Sequence, residues 1–149
     1  MKLTNKNQEE FNIKNVRIGR TRESFIMAAV TVVLLIVAWI IALARHQFSG
    51  PVLEEWQKVI IPLTLVALVL IVVSYFPQYM NQRRKFTNMR QVILSVRLSR
   101  VLAIEFALLT LVDEILRGKL LTDSVFTLIP VSIFLITALI YMFLINRAK

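Results

Sequence analysis

Residues 90–106 read "RQVILSVRLSRVLAIEF". Arg90, Arg97 and Arg100 ride on an otherwise apolar segment, and Glu105 follows them. Whether the chain holds three or four apolar helices turns on this segment. Apolar residues continue from Val101 through Ile104, and from Phe106 to Val112, on every side of a helix. A helix that is apolar all round is a buried or membrane-crossing one. Residues 98–116 are therefore predicted to be a span, interrupted by Arg100, Glu105, Asp113 and Glu114.

Three cleaner runs surround it. Residues 24–44 carry no charge over 21 positions, residues 59–76 make a second run and residues 124–145 a fourth. At about 1.5 Å per residue, some 20 residues cross a hydrocarbon core of about 30 Å. The chain of 149 residues is 57% hydrophobic with only three glycines. A soluble domain stands nearer 45–50%, glycine included. The expected fold is an all-α integral membrane protein. A tail (1–23) precedes a four-helix transmembrane domain (24–149). The first run is too long for a signal-peptide core, follows a polar tail, and lacks a small-x-small site at Ala44, Arg45 and His46.

Basic residues set the orientation. The N-terminal tail, the segment from Arg83 to Arg100 and the C-terminus together hold fourteen Lys and Arg. The other side holds four, Arg45, Lys58, Arg117 and Lys119. Basic residues flanking spans stay inside. Both termini are expected in the cytoplasm of a cell with an inner membrane, with short outer loops near 45–54 and 117–123. The same distribution accounts for the net charge of +9 without nucleic acid. Local signals agree. Pro51 follows Gly50 as a helix start that would put Glu54 and Glu55 in the first turn, and Asp123 precedes the fourth run. Trp56 suits the outer interface, and Tyr75, Tyr79 and Tyr141 the inner one. Pro62, Pro77 and Pro130 are expected to kink or end helices.

The segment 78–97 contains Arg83, Arg84, Lys85 and Arg90 and no acid. Residues 86–97 are expected to form a basic amphipathic helix along the inner surface that either turns into the membrane or continues straight into the third span. Such a helix anchors to an anionic inner leaflet, at about 1 kcal/mol per basic residue, or docks a cytosolic protein. Arg97 and Arg100 sit at the inner mouth, where Arg100 can snorkel to headgroups. Glu105 lies roughly 6 Å deeper than Val101 by helical rise. Its neighbours one turn away are Val101 and Leu109, so its partner must come from another helix, water or a proton. Arg20, Arg22, Arg83, Arg84 and Arg147 are the candidate cations. The role is either a bond that fixes packing or a proton or ligand site.

Ser95, Ser99, Ala103 and Ala107 recur every four residues on a face well over 100° from Glu105. Small residues at that spacing let helices approach closely, within the chain or in a homo-oligomer. The third span thus reads as the central, protein-enclosed helix. At its outer end, Asp113 can pair with Arg117, while Glu114 is expected to be solvated, or to contact a cation or peptide.

Enzymatic function has little to stand on. There is no cysteine, one histidine (His46), no His-Glu-x-x-His and no Asp pair at membrane depth. Ser74, Ser95, Ser99 and Ser132 have no evident base. No cofactor and no metal site is expected, since one histidine alone does not make one.

Two stretches carry a family resemblance. "ALARHQFSGPVLEEWQKVIIP" follows the first run, and "YFPQYMNQ…MRQVILSVRLSR" leads into the third. His46, Phe48, Gly50, Pro51, Trp56 and Lys58, then Phe76, Pro77, Arg90, Gln91, Arg97 and Arg100, resemble the bacterial SdpI-like membrane proteins over about residues 25–105. Gln47 separates His from Phe here, and the family's Pro-Asp pair is missing. The resemblance implies a small multi-span protein of toxin-immunity and signal-transduction type, some of which sequester a transcriptional repressor at the membrane, and implies no enzyme activity. The expected function is immunity, sensing or partner docking, with His46, Glu105, Arg97, Arg100 and Glu114 as candidate functional residues. The alternative is a small proton-coupled transporter using Glu105.

Overall fold

The computed structural model describes residues 21–46, 53–77, 88–116 and 124–148. They form four helices: α1 (Arg22–His46), α2 (Leu53–Tyr75), α3 (Met89–Ile115) and α4 (Ser124–Arg147). Two are long and apolar enough to cross a membrane, α1 over Arg22–Ala44 and α4 over Ser124–Arg147. A shorter apolar stretch, Val59–Tyr75, lies in α2. The composition of α3 is punctuated by Arg97, Arg100, Glu105, Asp113 and Glu114. Arg83, Arg84, Lys85, Tyr79, Asp123 and most of the outer-loop residues, with the side chains of His46 and Trp56, lie outside the described residues.

Each described boundary has a local cause. The Thr21 hydroxyl accepts from Ser24 N–H at 3.2 Å and Glu23 sits in the first turn of α1, satisfying a free donor and complementing the dipole. Asn88 caps α3 in extended backbone (φ −151°, ψ 166°) and accepts from Gln91 N–H. Pro77 follows the end of α2, whereas Pro62 and Pro130 lie inside α2 and α4. Nothing between Asn88 and Leu116 is Gly or Pro, so α3 runs unbroken for 27 residues. Of the two courses expected for the helix over 86–97, its described part takes the straight continuation into the third span. Residues 89–97 are the first turns of α3 itself, and Gln91, Val92 and Val96 are buried there.

α3 is the hub. It packs against α1, α2 and α4; among the described residues α1 and α2 meet only lightly and α4 packs against neither. Side-chain pairs fix the directions. Arg97 reaches Glu23, so α1 and α3 run parallel; Ser99 reaches the end of α2 and Gln91 the end of α4, so both run antiparallel to α3. One end of the bundle thus gathers Arg22, Arg90, Arg97, Arg100 and Arg147; Asp113 and Glu114 lie at the other.

The interior is unusual for water. Ser24, Thr31, Leu35, Ala38 and Ala42 are buried on α1, Ile60, Ala67 and Ser74 on α2, and Ser99, Ala103, Ala107 and Thr110 on α3. Most are small or hydroxylated. Large apolar residues point outward instead: Phe25, Val33, Leu65, Val69, Leu128, Leu139 and Phe143 are all exposed. Pro130 is the one buried residue of α4. The hydroxyls of Thr31, Thr110 and Ser132 donate to carbonyls one turn back, which satisfies them inside their own helices.

Candidate functional site

Arg97, Glu105 and Asp113 are eight residues apart in turn, about 12 Å of helical rise for each step. Glu105 therefore sits midway between the two charged ends of α3. Its Oε1 accepts a hydrogen bond of 2.6 Å from the Thr137 hydroxyl of α4. Its Oε2 is buried without a hydrogen-bond partner. Phe106, the next residue, stacks on Phe134 with ring centroids 4.7 Å apart. Of the partners expected from another helix, a hydrogen bond or an ion pair, the described residues supply the hydrogen bond, from a neutral hydroxyl; Arg20, Arg83 and Arg84 lie outside them. Thr137 shares the carboxylate's depth, and a hydroxyl has a far smaller desolvation cost there than a guanidinium. The signal was present in the sequence, for Ser132 and Thr137 are the hydroxyl residues in the middle of the fourth run.

The small-residue stripe faces elsewhere. Ser99, Ala103 and Ala107 are buried and Ser95 half-buried. The Ser99 hydroxyl donates to the Leu70 carbonyl at 2.6 Å. Ala107 packs with Leu35 and Ala67, with Leu34 and Phe106 against them. Without side-chain bulk, α3 comes close to α1 and α2 on this face while Glu105 meets α4 on another. Trp39 Nε1 donates to the Thr64 hydroxyl at 3.1 Å, linking α1 to α2. A wholly apolar, open groove of about 300 Å³ lies beside that bond, walled by Val32, Ile36, Leu43 and Leu68.

At the arginine end, the Arg97 guanidinium is 3.0 Å from Glu23, with both side chains nearly half exposed. An exposed pair of this kind contributes about 0–1 kcal/mol. Arg90 is exposed. Arg100 behaves differently from expectation. Instead of reaching outward it is only 5% exposed, turned into the seam with α2. Its Nε donates to the Ser74 hydroxyl at 3.3 Å, and its Cζ lies 5.4 Å from the Tyr75 ring centroid. The hydroxyl and the ring face offer a guanidinium what bare hydrocarbon lacks. Ser74 in turn donates to the Ile71 carbonyl at 2.6 Å.

The start of α3 also closes the end of α4. Asn88 Nδ2 donates to the Ala148 carbonyl at 2.6 Å, and Gln91 Nε2 to the Ile145 carbonyl at 3.3 Å. These carbonyls lie in and just beyond the last turn, where a helix runs short of N–H donors of its own. At the opposite end, Glu114 also departs from expectation. It is 8% exposed rather than solvated, Asp113 is buried beside it, and both are held by contacts of their own. Two acids at a helix C-terminus oppose the dipole, so those contacts are needed to keep them there. Arg117, the expected partner of Asp113, and Arg45 lie outside the described side chains. His46 ends α1. No protein-family model, no curated protein and no solved structure matches the chain.

Proposed function

We propose that this chain is a non-enzymatic, four-span protein of the inner membrane, with both termini in the cytoplasm, that works by binding. Immunity, sensing or partner docking of the kind implied by its resemblance to the SdpI-like proteins is the functional class. One observation carries the membrane reading: the buried seams are built largely of Ala, Ser and Thr, with Leu35, Ile60, Val92, Val96 and Leu109 the larger apolar residues among them, while most large apolar residues are exposed. In water that arrangement exposes apolar surface that would drive aggregation. In lipid it is the expected one, because tails solvate the large side chains and close packing of small residues joins the helices. The charges of α3 fit a span too. Arg100 is covered by α2, Glu105 is paired to α4, and the remaining charges sit at the two ends.

The docking role rests on the basic segment 78–97, which carries no acid and leads directly into the hub helix. A photo-crosslinking residue placed at Phe86 in the full chain tests it in cells. A protein adduct of defined mass, lost when Arg83, Arg84, Lys85 and Arg90 become glutamine, is the expected result. Adducts to lipid alone would leave these residues as an anionic-leaflet anchor and remove the docking role. Carbonate extraction tests the membrane reading by itself, since a released chain is not integral.

A second reading has its own support in Glu105. A carboxyl oxygen without a partner in the middle of the hub helix is the feature a proton-coupled transporter would use. Glu105→Gln in proteoliposomes tests it: a retained fold with loss of pH-driven solute flux supports transport. Flux unchanged by the substitution removes it.

A further inference from the structure

The arginine end of the α1–α2–α3 seam holds two cations and one acid. Glu23 is committed to Arg97 at 3.0 Å. Arg100, three residues on, is 5% exposed and has one hydrogen bond among the described residues, from Nε to Ser74. Its Nη2 is buried and has no acceptor. A guanidinium keeps its charge in any protein setting, so it cannot escape burial by losing a proton. Cation–π contact with Tyr75 meets one face of the group and leaves the Nη2 donors at its edge unused. Breaking or omitting the partner of a buried charge is costly unless something else supplies it. Glu23 and Arg97 both act electrostatically on Arg100, which places one acid among two guanidinium groups in a single neighbourhood. Among the described residues the cluster is short of one anion.

We propose that this seam is a binding site for a phosphoryl anion, seated on the free edge of Arg100 with Arg97 beside it. The planar fork of arginine matches two phosphate oxygens, which a single carboxylate from Glu23 does not supply to both residues. Tyr75 is 38% exposed at the end of α2 and lies against the guanidinium, so the seam meets the surface of the bundle end at this ring. Arg22 and Arg90 are exposed at the same end and raise the local positive potential that draws an anion in. The anion comes either from an anionic lipid headgroup or from a free phosphate. The first source rests on the membrane reading above, and the second does not.

The test uses the full purified chain and follows its thermal midpoint, which rises when a ligand binds the folded state alone. One arm titrates inorganic phosphate into the chain in neutral detergent. The other compares phosphatidylcholine nanodiscs with discs doped with phosphatidic acid, or with oleate at equal charge. The expected result is a rise with phosphatidic acid that oleate does not match. Arg100→Lys should weaken apparent affinity about tenfold, because an ammonium lacks the fork. Glu23→Gln should strengthen it by freeing Arg97, an effect no purely structural role predicts. A response to inorganic phosphate alone would identify the free anion as the source; a response only in discs would identify the headgroup. Equal shifts with oleate and phosphatidic acid, or no shift in the wild type in either arm, would overturn the proposal. Should Arg100→Lys fail to fold, the wild-type comparison and Glu23→Gln decide it. A chain that extracts with carbonate yet responds to phosphate in detergent would refute the membrane reading and leave this site standing.

Discussion

Thr137→Val replaces a hydroxyl by a methyl of nearly the same size and so removes one hydrogen bond with little change in packing. That bond is 2.6 Å long, in the range of a hydroxyl donating to a carboxylate. Two magnitudes compete. Interhelical side-chain hydrogen bonds in membrane proteins average about 0.6 kcal/mol and reach about 1.7. Hydrogen bonds to charged groups elsewhere contribute about 1.5–3 kcal/mol. The upper part of the membrane range should apply here, because Oε2 already lacks a partner and the substitution strips Oε1 of its own. Among the described residues α4 packs on α3 alone, so no other described helix compensates. The expected loss is about 1–2 kcal/mol. Replacing both partners by apolar groups is often neutral, so Glu105→Leu on the Thr137→Val background should restore most of it. Reversible unfolding in mixed detergent, followed by tryptophan fluorescence, measures both. A Thr137→Val change within about 0.3 kcal/mol of wild type, or a double variant whose cost equals the sum of its parts, would refute the reasoning.

Three further outcomes follow from the same structure. Ala107→Leu forces extra carbons between Leu35 and Ala67 and should cost about 1–3 kcal/mol; unchanged thermal stability in detergent would mean the helices are not closely packed there. Asn88→Ala should lose a cap, at about 0.5–2 kcal/mol, and also the bond to Ala148. Hydrogen exchange should then quicken over both 89–92 and 145–148, and an effect confined to α3 would contradict the cross-helix cap. Reporter fusions after Arg147 and within 78–88 should both read cytoplasmic, and an external signal from either would overturn the topology.

The sequence by itself determined where the helices are. Charge-free runs near 24–44, 59–76 and 124–145 became α1, α2 and α4 within a few residues, because apolar length and proline positions act along one chain segment. It also marked α3 as the segment with both a small-residue face and a lone carboxylate, since helical periodicity can be read from spacing alone. The tertiary structure decided what those features touch. Arg100 was legible as a cation at the mouth of a span, yet only the approach of Ser74 and Tyr75 on α2 turned it inward. Glu105 was legible as a residue needing a partner from another helix. That the partner is Thr137 depends on the register of α4 against α3, which Asn88, Gln91 and the Phe106–Phe134 stack fix at a distance of tens of residues. The burial of Glu114 has the same origin. Solvation of a helix end is a local expectation, and it is overridden wherever another segment covers that end, a fact no one-dimensional pattern encodes.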